Sequence, residues 1–121
     1  MCILLLSTAH PHYPFLLLSN RDEVLARPTQ PAAWWPPPAA HVLAGRDLAR
    51  PERGSWLALT RDGRLAALTN VHDAAEPRKP RSRGVVVRDF VAPPATQVDV
   101  GGFARRVAHE GEMGGLNAVL G

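Results

Sequence analysis

Cys2 carries the only thiol of the sequence and stands directly after the initiator methionine. Removal of Met1, which a small second residue normally permits, would leave a thiol and a free α-amine on one residue. Because an α-amine has a pKa of about 8, it can act as the base for its own side chain. Cys2 is therefore a candidate nucleophile, although a lone cysteine is more often a small buried hydrophobe at the start of a strand.

Two short apolar runs, which begin at Cys2 and at Phe15, predict the first β-hairpin. The segment that joins them is short and carries two prolines, as hairpin loops and turns often do. If Thr8 pairs near Phe15, antiparallel register places Cys2 roughly opposite Arg21. The thiol would then lie beside the polar segment that follows the second run.

That polar segment is Asn20-Arg21-Asp22-Glu23. Arg21 could stabilise a thiolate or orient a carboxylate-bearing substrate, and Asp22 could hold the α-amine. Without the cysteine, an ion-paired strand end would be the better interpretation. Because the predicted register places Cys2 opposite this segment, a catalytic cluster is favoured instead.

A second hairpin is predicted around Asp62-Gly63, a strong short-range turn signal between two apolar runs. With those two residues as the turn, Leu57 faces Leu68, and both share one face with Asn70. Asn70 could donate an amide N–H to an oxyanion. Combined with Cys2, this predicts an N-terminal-nucleophile amidohydrolase.

The remaining segments predict an α+β domain over residues 1–121, with one sheet built from the two hairpins and helices packed on one face. Residues 27–40 are rich in proline and predict a surface loop whose tryptophans fold back onto the domain; a polyproline segment for a partner groove is the weaker alternative. Helices are expected over 85–91 and 103–110, and a strand over 116–120. Because that apolar strand has no following cap, we expect the chain to be truncated.

Composition narrows the classes of protein. Apolar content is 45% and charged content 21%, as in ordinary folded proteins. The formal charge of +3 is too small to predict a nucleic-acid partner. A single cysteine excludes an intrachain disulfide, no stretch approaches the ~20 apolar residues of a membrane helix, and His10, His12 and His41 lack companions at metal-ligand spacing. We expect a cytoplasmic protein without cofactor or metal.

Several motifs resemble those of the NRDE family, also called the transport and Golgi organisation protein 2 family. In chain order they are Met1-Cys2, Asn20-Arg21-Asp22-Glu23, Arg27-Pro28, Gly45-Arg46-Asp47, Gly54-Ser55-Trp56-Leu57, Leu65-Ala66-Ala67-Leu68-Thr69-Asn70, Ser82-Arg83-Gly84 and Leu116-Asn117. The resemblance covers nearly the whole chain. Family members are longer, so the chain looks like an N-terminal portion.

The resemblance implies an αββα fold similar to that of N-terminal-nucleophile hydrolases, acting on amide or related C–N bonds. It implies catalytic roles for Cys2, Asp22 and Asn70, whereas Arg21 is a catalytic candidate because of its charge and its predicted position opposite Cys2. It implies binding or structural roles for Asn20, Glu23, Arg46, Asp47 and Trp56. The alternative that it carries is a non-catalytic protein on the same scaffold, which handles haem or acyl metabolites or organises the secretory pathway. A small-molecule substrate or ligand, acyl-amide or haem, is expected on either interpretation, and an oligomer is compatible with both.

Overall fold

Strands dominate the fold of the residues that the computed structural model describes, which are 2–71, 80–110 and 113–121. The strands are β1 (Leu4–Ser7), β2 (Leu16–Ser19), β3 (Thr29–Trp34), β4 (Val42–Asp47), β5 (Leu57–Thr60), β6 (Leu65–Asn70) and β7 (Leu116–Leu120). The helices are α1 (Gly84–Val91) and α2 (Val100–His109), with a 3-10 turn at Ala95–Gln97 between them. The fold is α+β, as predicted.

The strands form two antiparallel sheets. β1 and β2 pair only with each other, whereas the other strands form a five-stranded sheet in the order β3-β4-β5-β6-β7. The prediction of a single sheet built from both hairpins is therefore wrong. After Ser19 the chain becomes polar, and the Asn20 side chain accepts the hydrogen bond of the Ile3 N–H. Within the described residues, no strand of the large sheet pairs with this hairpin.

The β5–β6 hairpin forms as predicted, but its register is shifted by one residue. Leu57 pairs with Ala67 rather than with Leu68. The loop consists of residues 61–63, with Gly63 at a φ of 88°. A three-residue loop that ends in a left-handed glycine is a common hairpin connection. Because side chains alternate along a strand, the shift puts Leu68 on the face opposite Leu57.

The proline-rich region contains a strand that the sequence did not predict. Residues 27–40 were expected to form a loop, yet β3 pairs with β4 along one edge of the large sheet. Pro31 is tolerated because β3 is an edge strand and because the pairing is irregular between Gln30 and Ala33.

The two adjacent tryptophans behave differently. Trp35 is 3% exposed and its indole Nε1 donates to the Ala44 carbonyl at 3.1 Å, so it folds back onto the domain as predicted. Trp34 is 46% exposed and carries the guanidinium of Arg61 over its ring at 3.9 Å. For Trp34 the prediction is wrong.

Both helices pack on one face of the large sheet. α1 confirms the helix expected over 85–91, and α2 begins at Val100, before the predicted start. Phe90 and Phe103 join the two helices edge to face, with ring centroids 5.3 Å apart. The buried core consists mainly of Trp35, Val42, Ala44, Ala58, Ala66, Leu68, Val85, Val86, Val87, Phe90, Val91, Phe103 and Met113. None of the described helices has the length and apolar character needed to span a membrane.

Candidate functional site

Cys2 contacts the backbone of Asp22, one residue beyond the Arg21 that the predicted register places opposite it. Leu4 pairs with Ser19 and Ser7 with Leu16, which is the predicted alignment. The backbone N–H of Asp22 donates to Sγ of Cys2 at 3.3 Å, and the thiol lies 3.9 Å from the Asp22 carbonyl oxygen. The half-buried thiol therefore has a hydrogen-bond donor aimed at its sulfur, which is what a thiolate needs.

Asn20 extends the hairpin beyond its last ladder pair. Its side-chain oxygen accepts from the Ile3 N–H at 2.6 Å, and its own N–H donates to the Ile3 carbonyl at 3.2 Å. These two bonds hold Ile3, which follows Cys2, against Asn20, which lies two residues before Asp22. Asn20 therefore holds the open end of the hairpin together through its contacts with Ile3.

Arg21 connects the small sheet to the large one. Its guanidinium lies 4.4 Å from the centre of the Trp56 ring, and its Nη2 lies 3.9 Å from Glu23 Oε2. The Trp56 ring in turn covers Gly45, where an added Cβ would lie 2.7 Å from Cη2. Only glycine leaves room for the indole at this point of β4. The Trp56 ring therefore packs between Gly45 and the Arg21 guanidinium, and this contact orients Arg21.

Arg27 is a site residue to which sequence reasoning assigned no role. Its Nε and Nη2 donate to the two carboxylate oxygens of Asp47 at 3.1 and 2.6 Å, and its Nε lies 3.5 Å from Glu23. This two-pronged ion pair ties the segment after the polar cluster to the end of β4. The Glu23-to-Arg27 spacing was a usable signal, but its partner across the fold was not visible in the sequence.

The electrostatics of this ion pair favour both charged forms. The hydrogen bond to Asp47 raises the pKa of Arg27 above its ordinary value, against the effect of burial. Partial burial opposes ionisation of Asp47, but the Arg27 hydrogen bond, the Ala49 N–H and the charges of Arg27 and Arg21 outweigh it, so the pKa of Asp47 is lowered. The pair stabilises the fold while Asp47 is ionised.

Arg46 contacts the opposite face of the same strand. Gly45 and Asp47 face the Cys2 cluster, whereas the Arg46 guanidinium stacks on Trp35 at 4.0 Å. Strand alternation explains this, because successive side chains point to opposite faces.

Asn70 ends β6, where it is exposed and pairs with Leu116 of β7. It shares its face with Leu68 rather than with Leu57. Among the described residues, no hydrogen bond joins Asn70 to Cys2. Its assignment as an oxyanion donor stays a prediction.

No group of three or more metal-ligating side chains occurs in the described ranges. Met1, on whose removal the amine chemistry depends, lies outside them, as do residues 72–79. The site that the structure describes consists of a thiol, a backbone N–H and an arginine-rich support.

Comparison with known proteins places the chain in a family. The family model described as Transport and Golgi organisation 2 matches residues 1–121. An uncharacterised protein of Saccharomyces cerevisiae is 31% identical over 98% of this chain and 39% of its own length. The human Transport and Golgi organization protein 2 homolog is 34% identical over 88% of this chain and 38% of its own length.

The Drosophila melanogaster Transport and Golgi organization protein 2 is 42% identical over 65% of this chain and 29% of its own length. The chain thus spans well under half the length of these curated relatives. The family model covers every residue of the chain, including the motifs described above. The chain belongs to the Transport and Golgi organisation 2 family, also known as the NRDE family.

Proposed function

We propose that the chain carries the nucleophile of an N-terminal-cysteine hydrolase that acts on amide or related C–N bonds. The observation that supports it is the Asp22 N–H, which points at Cys2 Sγ from 3.3 Å. A backbone donor lowers the cost of placing negative charge on sulfur, and it requires no side-chain movement. An N-terminal-nucleophile-like αββα arrangement and a single domain over 1–121 are parts of the same proposal.

In this mechanism, Met1 is first removed and the free α-amine of Cys2 takes the thiol proton. The thiolate attacks the carbonyl carbon of the substrate, and its electron pair forms the C–S bond. The tetrahedral intermediate collapses, the C–N bond breaks, and the leaving nitrogen receives the proton from the amine. Water then hydrolyses the thioester, which releases the acid and restores the thiol.

The other residues have supporting roles in the proposal. Arg21, held on Trp56, orients an acidic substrate group or balances charge near the sulfur. Asp22 holds the α-amine through its carboxylate, and Asn70 donates to the oxyanion, both as the resemblance implies. Arg27 and Asp47 hold the segment in place and touch no reacting atom.

The first experiment is an intact-mass measurement before and after a brief, substoichiometric pulse of iodoacetamide at neutral pH. Loss of Met1 with alkylation of Cys2 much faster than in the urea-unfolded chain supports an activated nucleophile. The Cys2→Ala variant must show no alkylation. Retention of Met1, or a thiol that reacts only after unfolding, would rule out the hydrolase.

A second candidate function is binding without catalysis, and the exposed apolar surface of the hairpin region favours it. Ile3 is 61% exposed, Leu18 57%, Val24 70% and Leu25 fully exposed. The β1–β2 register puts Ile3 and Leu18 on one face of the ribbon, and exposed apolar surface of this kind is common at interaction sites. The ligand would be haem or an acyl metabolite; for a role in secretory-pathway organisation, it would be a partner protein. The location that we propose for the chain is the cytoplasm.

Haem titration of the Cys2→Ala variant separates the two functions. Saturable haem binding that survives loss of the thiol, together with slow alkylation of the wild type, would favour binding. Absence of saturable binding would remove haem handling from consideration. The Leu25→Ser variant tests the exposed apolar surface itself, because Leu25 is fully exposed and its replacement should leave the fold intact.

A further inference from the structure

The loop of the first hairpin, residues 8–15, is described in full and contains no hydrogen bond between two of its backbone groups. Its described hydrogen bonds run from backbone to side chain. The Ala9 N–H donates to Ser7 Oγ at 3.3 Å, and the His12 N–H donates to Nδ1 of His10 at 3.2 Å. Because a two-stranded ribbon is marginally stable by itself, contacts in the loop that joins its strands help to decide whether it stays closed.

The imidazole of His10 organises this loop. Its ring is half-buried, whereas the other residues of the loop are exposed. The ring centre lies 5.0 Å from that of Tyr13 and 6.0 Å from that of His12. With Nδ1 as the acceptor of the His12 N–H, the loop imitates the turn that an asparagine side chain forms with the N–H two residues further along.

This hydrogen bond requires a particular protonation state of His10. Nδ1 accepts only while it carries a lone pair, and in the imidazolium form both ring nitrogens carry hydrogen and only donate. Histidine side chains change their charge between about pH 5 and pH 8. The closed loop therefore binds fewer protons than the open loop, so a fall in pH favours opening.

The titratable groups that face His10 among the described residues are the side chains of His12 and Tyr13. Residues 1–20 contain no acidic side chain that could hold a proton on His10. A charged His12 repels a charged His10, and this adds to the opening. The Tyr13 ring attracts a charged imidazole, but that attraction does not require the hydrogen bond to the His12 N–H.

We propose that His10 is a pH-sensitive switch of the β1–β2 hairpin, which is closed while the imidazole is neutral and opens when the imidazole is protonated. The hairpin register brings Cys2 to the Asp22 N–H, at the end of the ribbon opposite to the loop. Opening of the ribbon therefore releases this contact in acid. The switch acts on the ribbon itself and does not depend on whether Cys2 is a nucleophile.

The test is hydrogen–deuterium exchange of the whole chain at a series of pH values from about 5 to about 8. The exchange rate of β1 and β2 is divided by the intrinsic rate at each pH and compared with that of β4 and β5. We expect the protection of β1 and β2 to fall about fivefold across this range, as the loss of one hydrogen bond implies, while β4 and β5 keep theirs. Constant protection of β1 and β2 would overturn the proposal.

Three variants assign the effect to His10. His10→Asn places an oxygen acceptor near the position of Nδ1 and does not titrate, so the ribbon should stay protected in acid. His10→Ala removes the acceptor and should give the low protection at every pH. His12→Asn is the control, because it removes the neighbouring imidazole, keeps the acceptor, and should retain most of the pH dependence. A pH dependence that persists in His10→Asn, or that disappears only in His12→Asn, would show that His10 is not the switch.

Discussion

Arg27 and Arg46 lie on opposite sides of β4 and differ in how their charge is balanced. Arg27 holds both oxygens of Asp47, and this contact raises its pKa. Arg46 stacks on Trp35 with a buried, unpartnered Nε, and burial lowers its pKa. The first arginine has the contacts of a structural ion pair, whereas the second stacks on an aromatic ring and has no carboxylate partner among the described residues.

This difference explains why one short motif serves two purposes. In Gly45-Arg46-Asp47, the outer two residues serve the Cys2 side: Gly45 admits the Trp56 ring and Asp47 holds Arg27. The middle residue belongs to the helix-covered side. Because neighbouring side chains on a strand point to opposite faces, the residues of such a motif should be assigned roles separately for each face.

The largest effect is expected from Gly45→Ala, which disturbs the Cys2 side alone. The added Cβ would lie 2.7 Å from Trp56 Cη2 and 3.0 Å from the Gln30 carbonyl, so the indole must move and Arg21 with it. We expect a loss of about 3 kcal/mol in the free energy of unfolding, measured by urea titration. Gly101→Ala, whose nearest neighbour is a flexible arginine tip at 3.5 Å, is the control. A loss no greater than in the control would show that Trp56 does not depend on a glycine here.

A smaller effect is expected when the carboxylate that pairs with Arg27 is removed. Asp47→Asn leaves Arg27 without its ionic partner and should cost about 2 kcal/mol of unfolding free energy. Glu110→Gln removes a more exposed partner, that of Arg81, and should cost well under about 1 kcal/mol. Equal losses would mean that the Arg27 pair is an ordinary surface contact.

The pH dependence should follow the same ion pair. Because the pKa of Asp47 is lowered on folding, its contribution is complete above its unfolded pKa of about 4 and is lost as pH falls toward the folded value. The stability difference between wild type and Asp47→Asn should therefore shrink in acid, as urea titrations at a series of pH values would show. A difference that stayed constant down to strongly acidic pH would assign the stabilisation to packing instead.

The smallest effect is expected at the unpaired arginine. Arg46→Met keeps an apolar stem on Trp35 and removes a charge that has no described counter-ion, so stability should change by no more than about 1 kcal/mol in either direction. Arg61→Met on the exposed Trp34 is the matched variant. A large loss at Arg46 in thermal or urea unfolding would show that its charge is already balanced in the free protein.

The first hairpin and its register could be predicted from the sequence, because its two apolar runs, its proline-containing loop and its polar end all indicated the same alignment. The contact between Cys2 and the Asp22 backbone follows from that register. The second hairpin was misaligned by one residue because Asp62-Gly63 fits both a two-residue turn and the end of a three-residue loop. Local sequence does not distinguish the two.

Other features depended on tertiary packing and could not be predicted. Pro31 argued against a strand, but an edge position and an irregular pairing removed the conflict. The Arg27–Asp47 pair joins residues twenty positions apart and depends on the β3–β4 pairing, which the sequence did not predict. The same holds for Arg46, whose contact with the Trp35 ring also depends on tertiary packing.

The small β1–β2 sheet has a consequence for how the protein loses structure. Its strands carry largely exposed apolar side chains and do not join the five-stranded ladder. A two-stranded ribbon of this kind is marginally stable by itself, so it should open before the rest of the fold. Amide hydrogens of β1 and β2 should exchange with deuterium well before those of β4 and β5. Heating would then release the Cys2 thiol below the main melting transition, so that the contact between Cys2 and Asp22 would be lost by local opening rather than by global unfolding.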